Sequence, residues 1–159
     1  MYTIALIGCG RISFKHIEGF VDNADTLKLV AVCDTVKTKA EEKEKEYKKS
    51  FPDANIAVYT DYREMLAEQK PDIVTIATES GKHKAIALDC FNAGCHVICE
   101  KPMALSTKDA DEMIAAAKKS NRKLAVCFQN RFNPPIMRLR TALEEGRFGR
   151  VLHGMVQIR

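Results

Sequence analysis

Three clusters of polar residues stand just beyond apolar runs, and each could do chemistry. After Asp72-Ile73-Val74-Thr75-Ile76-Ala77 come Thr78, Glu79, Ser80 and His83. After Cys95-His96-Val97-Ile98-Cys99 come Glu100, Lys101 and Pro102. After Lys123-Leu124-Ala125-Val126-Cys127-Phe128 come Gln129, Asn130, Arg131, Phe132 and Asn133. An ammonium beside a carboxylate at such a strand end can stabilise a developing alkoxide or move a hydroxyl proton. Burial and a neighbouring acid act in opposite directions on a lysine's proton, so the setting of Lys101 tunes it. The competing reading is a salt bridge between Glu100 and Lys101 on a solvated loop. Pro102 fixes the turn and is compatible with a cis peptide bond.

A second constellation lies at the N-terminus. Thr3-Ile4-Ala5-Leu6-Ile7 runs into Gly8-Cys9-Gly10-Arg11-Ile12-Ser13 and then into a helical stretch. Gly8 can take the positive-φ turn that leaves the strand, and Gly10 lets the backbone approach a ligand where a Cβ would collide. A helix beginning here aims free N–H groups and its positive dipole end at one spot, which suits a pyrophosphate. Ser13 stands where the dinucleotide fingerprint wants its third small residue. About 20 residues on, Leu27-Lys28-Leu29-Val30-Ala31-Val32-Cys33 reads as a second strand ending in Asp34. A carboxylate at that tip accepts from both hydroxyls of an adenosine ribose and repels a 2′-phosphate. The expected cofactor is therefore NAD, with NADP disfavoured. The plainer role for Asp34 is an N-cap for a helix from Thr35, and the two roles are compatible.

The elements that must position these groups alternate regularly. Six strands are expected, ending in turn near Ile7, Cys33, Tyr59, Thr78, Cys99 and Phe128. Between them lie helices near residues 35–50, 62–69, 82–93 and 107–120, with another from Pro134 or Pro135 to about Glu145. The helix after Asp34 is charged, with Glu41–Lys45 and Glu44–Lys48 at pairing distance. Ser106 and Asp109 suit a helix N-terminus. This pattern is α/β, a doubly wound parallel sheet of the Rossmann type, and such sheets place reacting groups beyond the C-terminal strand ends. Residues 150–159 read as a seventh strand opening a C-terminal α/β substrate domain, after a dinucleotide-binding domain at residues 1–149. With no strand to pair with, it is expected to fray or to add to a neighbouring chain.

Composition narrows the classes. In 159 residues, 25 basic and 21 acidic side chains give a net charge of +4. The late basic residues carry no interleaved aromatics and read as solvated helical faces, so no nucleic-acid partner is expected. No apolar run reaches membrane-spanning length, and the first apolar run is a strand rather than a signal peptide, which points to the cytoplasm. Six cysteines contain no C-x-x-C spacing, so they read as free thiols and no metal site is expected. His16, in the first helix, reads as a packed or solvated side chain.

Gly8-Cys9-Gly10-Arg11-Ile12, Asp34, Ala77-Thr78 with His83, and Ala93-Gly94-Cys95-His96-Val97-Ile98-Cys99-Glu100-Lys101-Pro102 carry a more specific signal. Together with Asn130-Arg131-Phe132-Asn133-Pro134 and Gly146-Arg147-Phe148-Gly149, they resemble the N-terminal domain of the glucose–fructose oxidoreductase, inositol dehydrogenase and rhizopine-catabolism (Gfo/Idh/MocA) family. The resemblance implies a two-domain NAD(P)-dependent oxidoreductase acting on a hydroxyl carbon of a sugar, cyclitol or nucleotide sugar, with a homo-oligomeric parent. It implies that Lys101 sits beside the reacting carbon and the nicotinamide and serves as the catalytic residue. Cofactor contacts are implied for Gly8, Gly10, Arg11, Ile12, Asp34, Thr78, His83, Glu100 and Gln129, and substrate contacts for Lys101 and Arg131. The alternative is a non-catalytic dinucleotide-binding sensor of the same fold. The family's second catalytic cluster, an aspartate and a histidine, belongs to the C-terminal domain, so residues 1–159 alone are expected to be inactive.

Overall fold

The computed structural model describes residues 1–157. It divides into two units, Met1–Cys127 and Phe128–Arg159, the last two residues of the second lying outside the description.

The first unit holds six strands: β1 (Tyr2–Ile7), β2 (Leu27–Cys33), β3 (Ala57–Tyr59), β4 (Ile73–Ile76), β5 (His96–Cys99) and β6 (Leu124–Val126). Their order is β3-β2-β1-β4-β5-β6, and every pairing is parallel. Five helices connect them: α1 (Ser13–Asp22), α2 (Lys37–Lys48), α3 (Tyr62–Gln69), α4 (His83–Asn92) and α5 (Thr107–Lys119). Crossover helices cover both faces, which is why the strands are apolar throughout rather than alternating.

Alternate strand residues feed two cores. Ala5, Ile7, Cys33, Val74, Ile76 and Val97 face Met65, Ile86, Phe91 and Met113 of α3, α4 and α5. On the other face, Ile4, Leu6, Leu29 and Val32 pack with Ile17 and Phe20 of α1 and Ala40 and Tyr47 of α2. Leu29 and Val32 share a face although three residues separate them. The reason is a register shift: Ile4 opposes Leu29 while Ala5 opposes Ala31, leaving Val30 as an extra residue. This bulge restores the alternation, so Ala31 and Cys33 meet one core and Val32 the other.

Caps set several helix ends. Asp61 accepts from the Arg63 N–H at the start of α3. Ser106 accepts from the Asp109 N–H at the start of α5, and its own hydroxyl donates back to the Asp109 carboxylate. On α2 the expected Glu44–Lys48 pair forms, but Glu41 takes Lys37 on the preceding turn rather than Lys45. The segment after Asp34 also differs from expectation. α2 begins at Lys37 with Val36 in the cap position and no side-chain cap, so Asp34 does not cap it.

The second unit contains a short 3₁₀ turn (Gln129–Phe132) and α6 (Pro134–Glu144), with proline in its first turn. The seventh strand is not formed: residues 150–157 have no regular structure, and residues 158 and 159 lie outside the described part. A strand exists only through its partner's hydrogen bonds, and residues 150–157 have no ladder to join.

Candidate cofactor and active site

Strand order reverses between β1 and β4, and a crevice opens there beyond the C-terminal strand ends, where open α/β sheets bind ligands. A cleft of about 460 Å³ lies at this end, lined by Gly8, Gly10, Asp34, Thr78, Lys82 and Arg63, among others.

The two glycines serve different needs. Gly8 has φ +93°, and a Cβ there would lie 2.6 Å from the Ala77 carbonyl carbon and 2.7 Å from Thr78 N. The fold itself requires this glycine, because the turn crosses directly against the end of β4. A Cβ on Gly10 would meet no protein atom within 4 Å. Nothing in the protein requires Gly10 to lack a side chain, yet it lines the cleft. An open cradle at the mouth of α1 fits the pyrophosphate of a dinucleotide. Ser13 is fully buried, and its hydroxyl donates to the Gly10 carbonyl, so the third small residue of the fingerprint braces the turn. Arg11 and Ile12 follow on the same turn and are exposed.

Asp34 closes the other side of the turn. Its Oδ2 accepts from Cys9 N at 2.8 Å and its Oδ1 from Val36 N at 2.9 Å. A carboxylate offers about four acceptor sites, so roughly two remain after these bonds. Those sites match the two hydroxyls of a ribose. Of the three cationic residues lining this cleft, Arg63 pairs with Asp89 at 3.0 Å and Lys82 with Glu79 at 2.8 Å. Lys39, which also lines it, forms no ion pair among the described residues.

His83 is 1 % exposed. Its Nδ1 lies 2.9 Å from the Pro102 carbonyl oxygen and its Nε2 3.1 Å from that of Thr78. The ring thereby joins the loop after β4 to the loop after β5.

The Glu100–Lys101–Pro102 segment holds a cis peptide bond before Pro102. The expected contact between the two charged side chains is not made. Lys101 is exposed and forms no ion pair among the described residues. The Glu100 carboxylate turns inward instead. Its Oε2 accepts from the Lys101 main-chain N–H at 3.1 Å, and its Oε1 lies 3.1 Å from His16 Nε2. Both side chains are only 12 % exposed. The His16 contact is bent away from ideal hydrogen-bond geometry, and no other group among the described residues satisfies that nitrogen. Burial lowers the His16 pKa below the usual histidine value, while the Glu100 carboxylate opposes the shift. Cys127 Sγ completes the group, the three side-chain atoms lying within 4.8 Å of one another. Burial, reinforced by Glu100, pushes the Cys127 thiol up to about 11.

The sequence places His16 in the first helix as a packed or solvated side chain; the structure packs it against Glu100, 84 residues away, a partner no local pattern reveals. Arg63 and Lys82 line the cleft without a sequence signal of their own. The thiols at Cys9, Cys33 and Cys99 are each pushed up to about 12, first of all by burial, so they stay protonated and unreactive at neutral pH.

In the second unit, the Arg131 guanidinium stacks over the Phe128 ring, 5.4 Å from its centre. Gln129 opens the 3₁₀ turn of that unit.

Comparison with known proteins agrees with this geometry. The chain is 33% identical over 148 residues to the D-glucoside 3-dehydrogenase of Escherichia coli K12, covering 93% of this chain and 40% of that protein. It is 26% identical to the inositol 2-dehydrogenase of Salmonella typhimurium LT2, covering 94% of this chain and 44% of the relative. Among solved structures, the WlbA dehydrogenase from Bordetella pertussis in complex with NADH and UDP-GlcNAcA superimposes with a TM-score of 0.82. That match has 34% identity and covers 94% of this chain and 43% of the other. The chain thus spans about two fifths of the length of the relatives it matches. The glycine turn, the acid at the tip of β2 and the all-parallel sheet fall within residues 2–128, which match the model of the oxidoreductase family with an NAD-binding Rossmann fold (Gfo/Idh/MocA), and the chain belongs to that family.

Proposed function

We propose that this chain is the cofactor-binding half of an NAD-dependent dehydrogenase. Its substrate class is a sugar, cyclitol or nucleotide sugar oxidised or reduced at a hydroxyl-bearing carbon. The observation that carries the reading is Asp34. Its carboxylate lines the cleft beside Gly8 and Gly10, is held by two main-chain N–H groups, and keeps acceptor capacity for a ribose. The relatives named as a glucoside and an inositol dehydrogenase support the sugar and cyclitol classes, and the neighbour solved with NADH and UDP-GlcNAcA supports the nucleotide sugar.

Bound NAD supplies the acceptor or donor of hydride. The residues of this chain do the rest. The N–H groups opening α1 neutralise pyrophosphate charge, and the bare Cα of Gly10 lets the backbone come close. Asp34 accepts from the ribose hydroxyls and disfavours a 2′-phosphate by like-charge repulsion. Thr78 contributes the far wall of the cleft, and the buried His83 ring acts through the two loops it joins. Lys101, with its ammonium exposed and free of ion pairs among the described residues, stands at a strand end next to that of β4. There it holds the substrate oxygen by hydrogen bond and carries its proton on or off as the carbon changes oxidation state. Arg11 and Ile12 flank the pyrophosphate. In the second unit, the Arg131 guanidinium suits a hydroxyl or phosphate.

The test has two parts. Calorimetric titration of the 159-residue chain should show NADH binding and much weaker NADPH binding. A longer polypeptide, in which this chain is continued to the length of its relatives, should produce NADH from a panel of sugars, cyclitols and nucleotide sugars. Equal affinity for the two cofactors would remove the role given to Asp34, and NADH binding without turnover on any substrate would favour a sensor.

A further inference from the structure

The inward turn of Glu100 separates two groups that the sequence places side by side. The carboxylate forms no ion pair with the Lys101 ammonium among the described residues, and its two oxygens face other groups. One oxygen holds the main-chain N–H of Lys101 and the other meets His16 on the first turn of α1. That helix starts at the glycine turn of the cofactor cleft. One buried carboxylate therefore links the helix at the pyrophosphate cradle to the main-chain atom nearest the Lys101 side chain. Cys127, at the end of β6, closes the third side.

We propose that His16 and Glu100 are a positioning pair for the reaction, setting the main chain at residue 101 so that the Lys101 ammonium meets the substrate oxygen at the edge of the cofactor cleft. This rests on the reading of Lys101 as the proton-carrying group. The pair suits a geometric role better than a stabilising one. Two buried ionisable side chains lose hydration on folding, and an apolar pair of similar volume is often as stable or more so. Orientation is what an apolar pair could not supply. The Lys101 N–H needs an acceptor at one point, and the carboxylate stays at that point only while its other oxygen is anchored. His16 supplies the anchor through its Nε2, 3.1 Å from that oxygen in a contact bent away from ideal hydrogen-bond geometry. Burial keeps its ring neutral at ordinary pH, so the donor tautomer is set by the facing carboxylate.

The test compares His16→Gln, which keeps a donor at about the reach of Nε2, with His16→Leu, which removes it. In the longer polypeptide, His16→Leu should lower kcat by about 10- to 100-fold per folded molecule, the scale for misplacing a reacting group by around an ångström. KM for NAD should stay within about twofold of wild type, since neither His16 nor Glu100 lines the cleft. His16→Gln should recover most of the lost rate. In the 159-residue chain, the ¹⁵N-labelled Lys101 amide should move upfield in His16→Leu, as its charge-assisted hydrogen bond loosens, and return in His16→Gln. A second route is Glu100→Leu, which removes both carboxylate oxygens and should reproduce the loss even where His16→Leu folds poorly. Wild-type kcat per folded molecule in His16→Leu or Glu100→Leu, or a Lys101 amide indifferent to both, would overturn the proposal. Failure of the underlying reading looks different: Lys101→Ala would leave turnover intact while the Lys101 amide still responded to His16.

Discussion

Cys9 and Asp34 are joined by a 2.8 Å hydrogen bond from the main-chain N–H of the glycine turn to the carboxylate at the tip of β2. The bond spans 25 residues of sequence and fixes the glycine turn and the acid, which both line the cleft, against each other. The same carboxylate accepts from Val36 N at 2.9 Å, so its plane is set before any ligand arrives. Pre-set acceptors lose little freedom on binding, and that favours affinity.

Replacing Asp34 by Ala should therefore weaken NADH by about 1–3 kcal/mol, the scale for leaving polar groups unpaired at a buried contact. The loss for NADPH should be smaller, because the repulsion of a 2′-phosphate disappears with the carboxylate. Calorimetric titration of both cofactors into wild type and variant checks the prediction. An unchanged ratio of the two affinities would contradict it.

The two turn glycines should fail in different ways. Gly8→Ala forces a Cβ to 2.6 Å from the Ala77 carbonyl carbon at a φ of +93°. Overpacking and left-handed backbone together should cost roughly 2–5 kcal/mol of folding stability. Gly10→Ala meets only open space, so the melting temperature should barely move. NADH affinity should nonetheless fall by about 1 kcal/mol or more, because the new methyl occupies the approach of the ligand. Thermal melts and NADH titrations of the two variants separate the effects.

Lys101 should matter to chemistry and not to cofactor binding. In the longer polypeptide, Lys101→Ala should lower turnover by about 100-fold or more, the worth of a positioned acid–base group. NADH affinity should be nearly unchanged, because the side chain is exposed at the end of β5 and makes no ion pair among the described residues. Steady-state rates and a titration on the same preparation make the comparison.

His16 should give stability a pH dependence in the acid range. Burial lowers its folded-state pKa below the usual histidine value of about 6.5. Below pH 6.5 the unfolded chain binds a proton that the folded chain resists, so the folded state loses stability as pH falls through this window. Above it the ring is neutral in both states and contributes no slope. Melts between about pH 7.5 and about pH 5 should show a steeper loss for wild type than for His16→Gln, which cannot titrate. Parallel curves would show that His16 is as easily protonated in the fold as outside it.

Local patterns told most of the architecture. Apolar runs, punctuated by glycine, proline and capping residues, marked strands of three to seven residues and the helices between them. Gly-Cys-Gly followed by an acid at the next strand tip marked the cofactor cleft. These readings rest on interactions within a few residues, or on a spacing that one βαβ unit imposes, so a linear string carries them. Residues 150–157 carry a strand-like pattern yet have no regular structure, because a strand's identity lies in its partner and not in its own residues, and none pairs with them among the described residues.

Only the tertiary structure decided which way Glu100 points. In the string its nearest opposite charge is Lys101, and a salt bridge between neighbours was the natural expectation. The parallel sheet brings α1 and the ends of β5 and β6 together, so His16 and Cys127 reach Glu100 from 84 and 27 residues away. A buried carboxylate takes the donors that packing presents to it, whereas the longer lysine side chain stays in water. The bulge at Val30 was likewise invisible, since its only signature is the register against β1. The sequence thus determined the elements and the chemistry at their tips, while long-range packing determined which of those groups face one another.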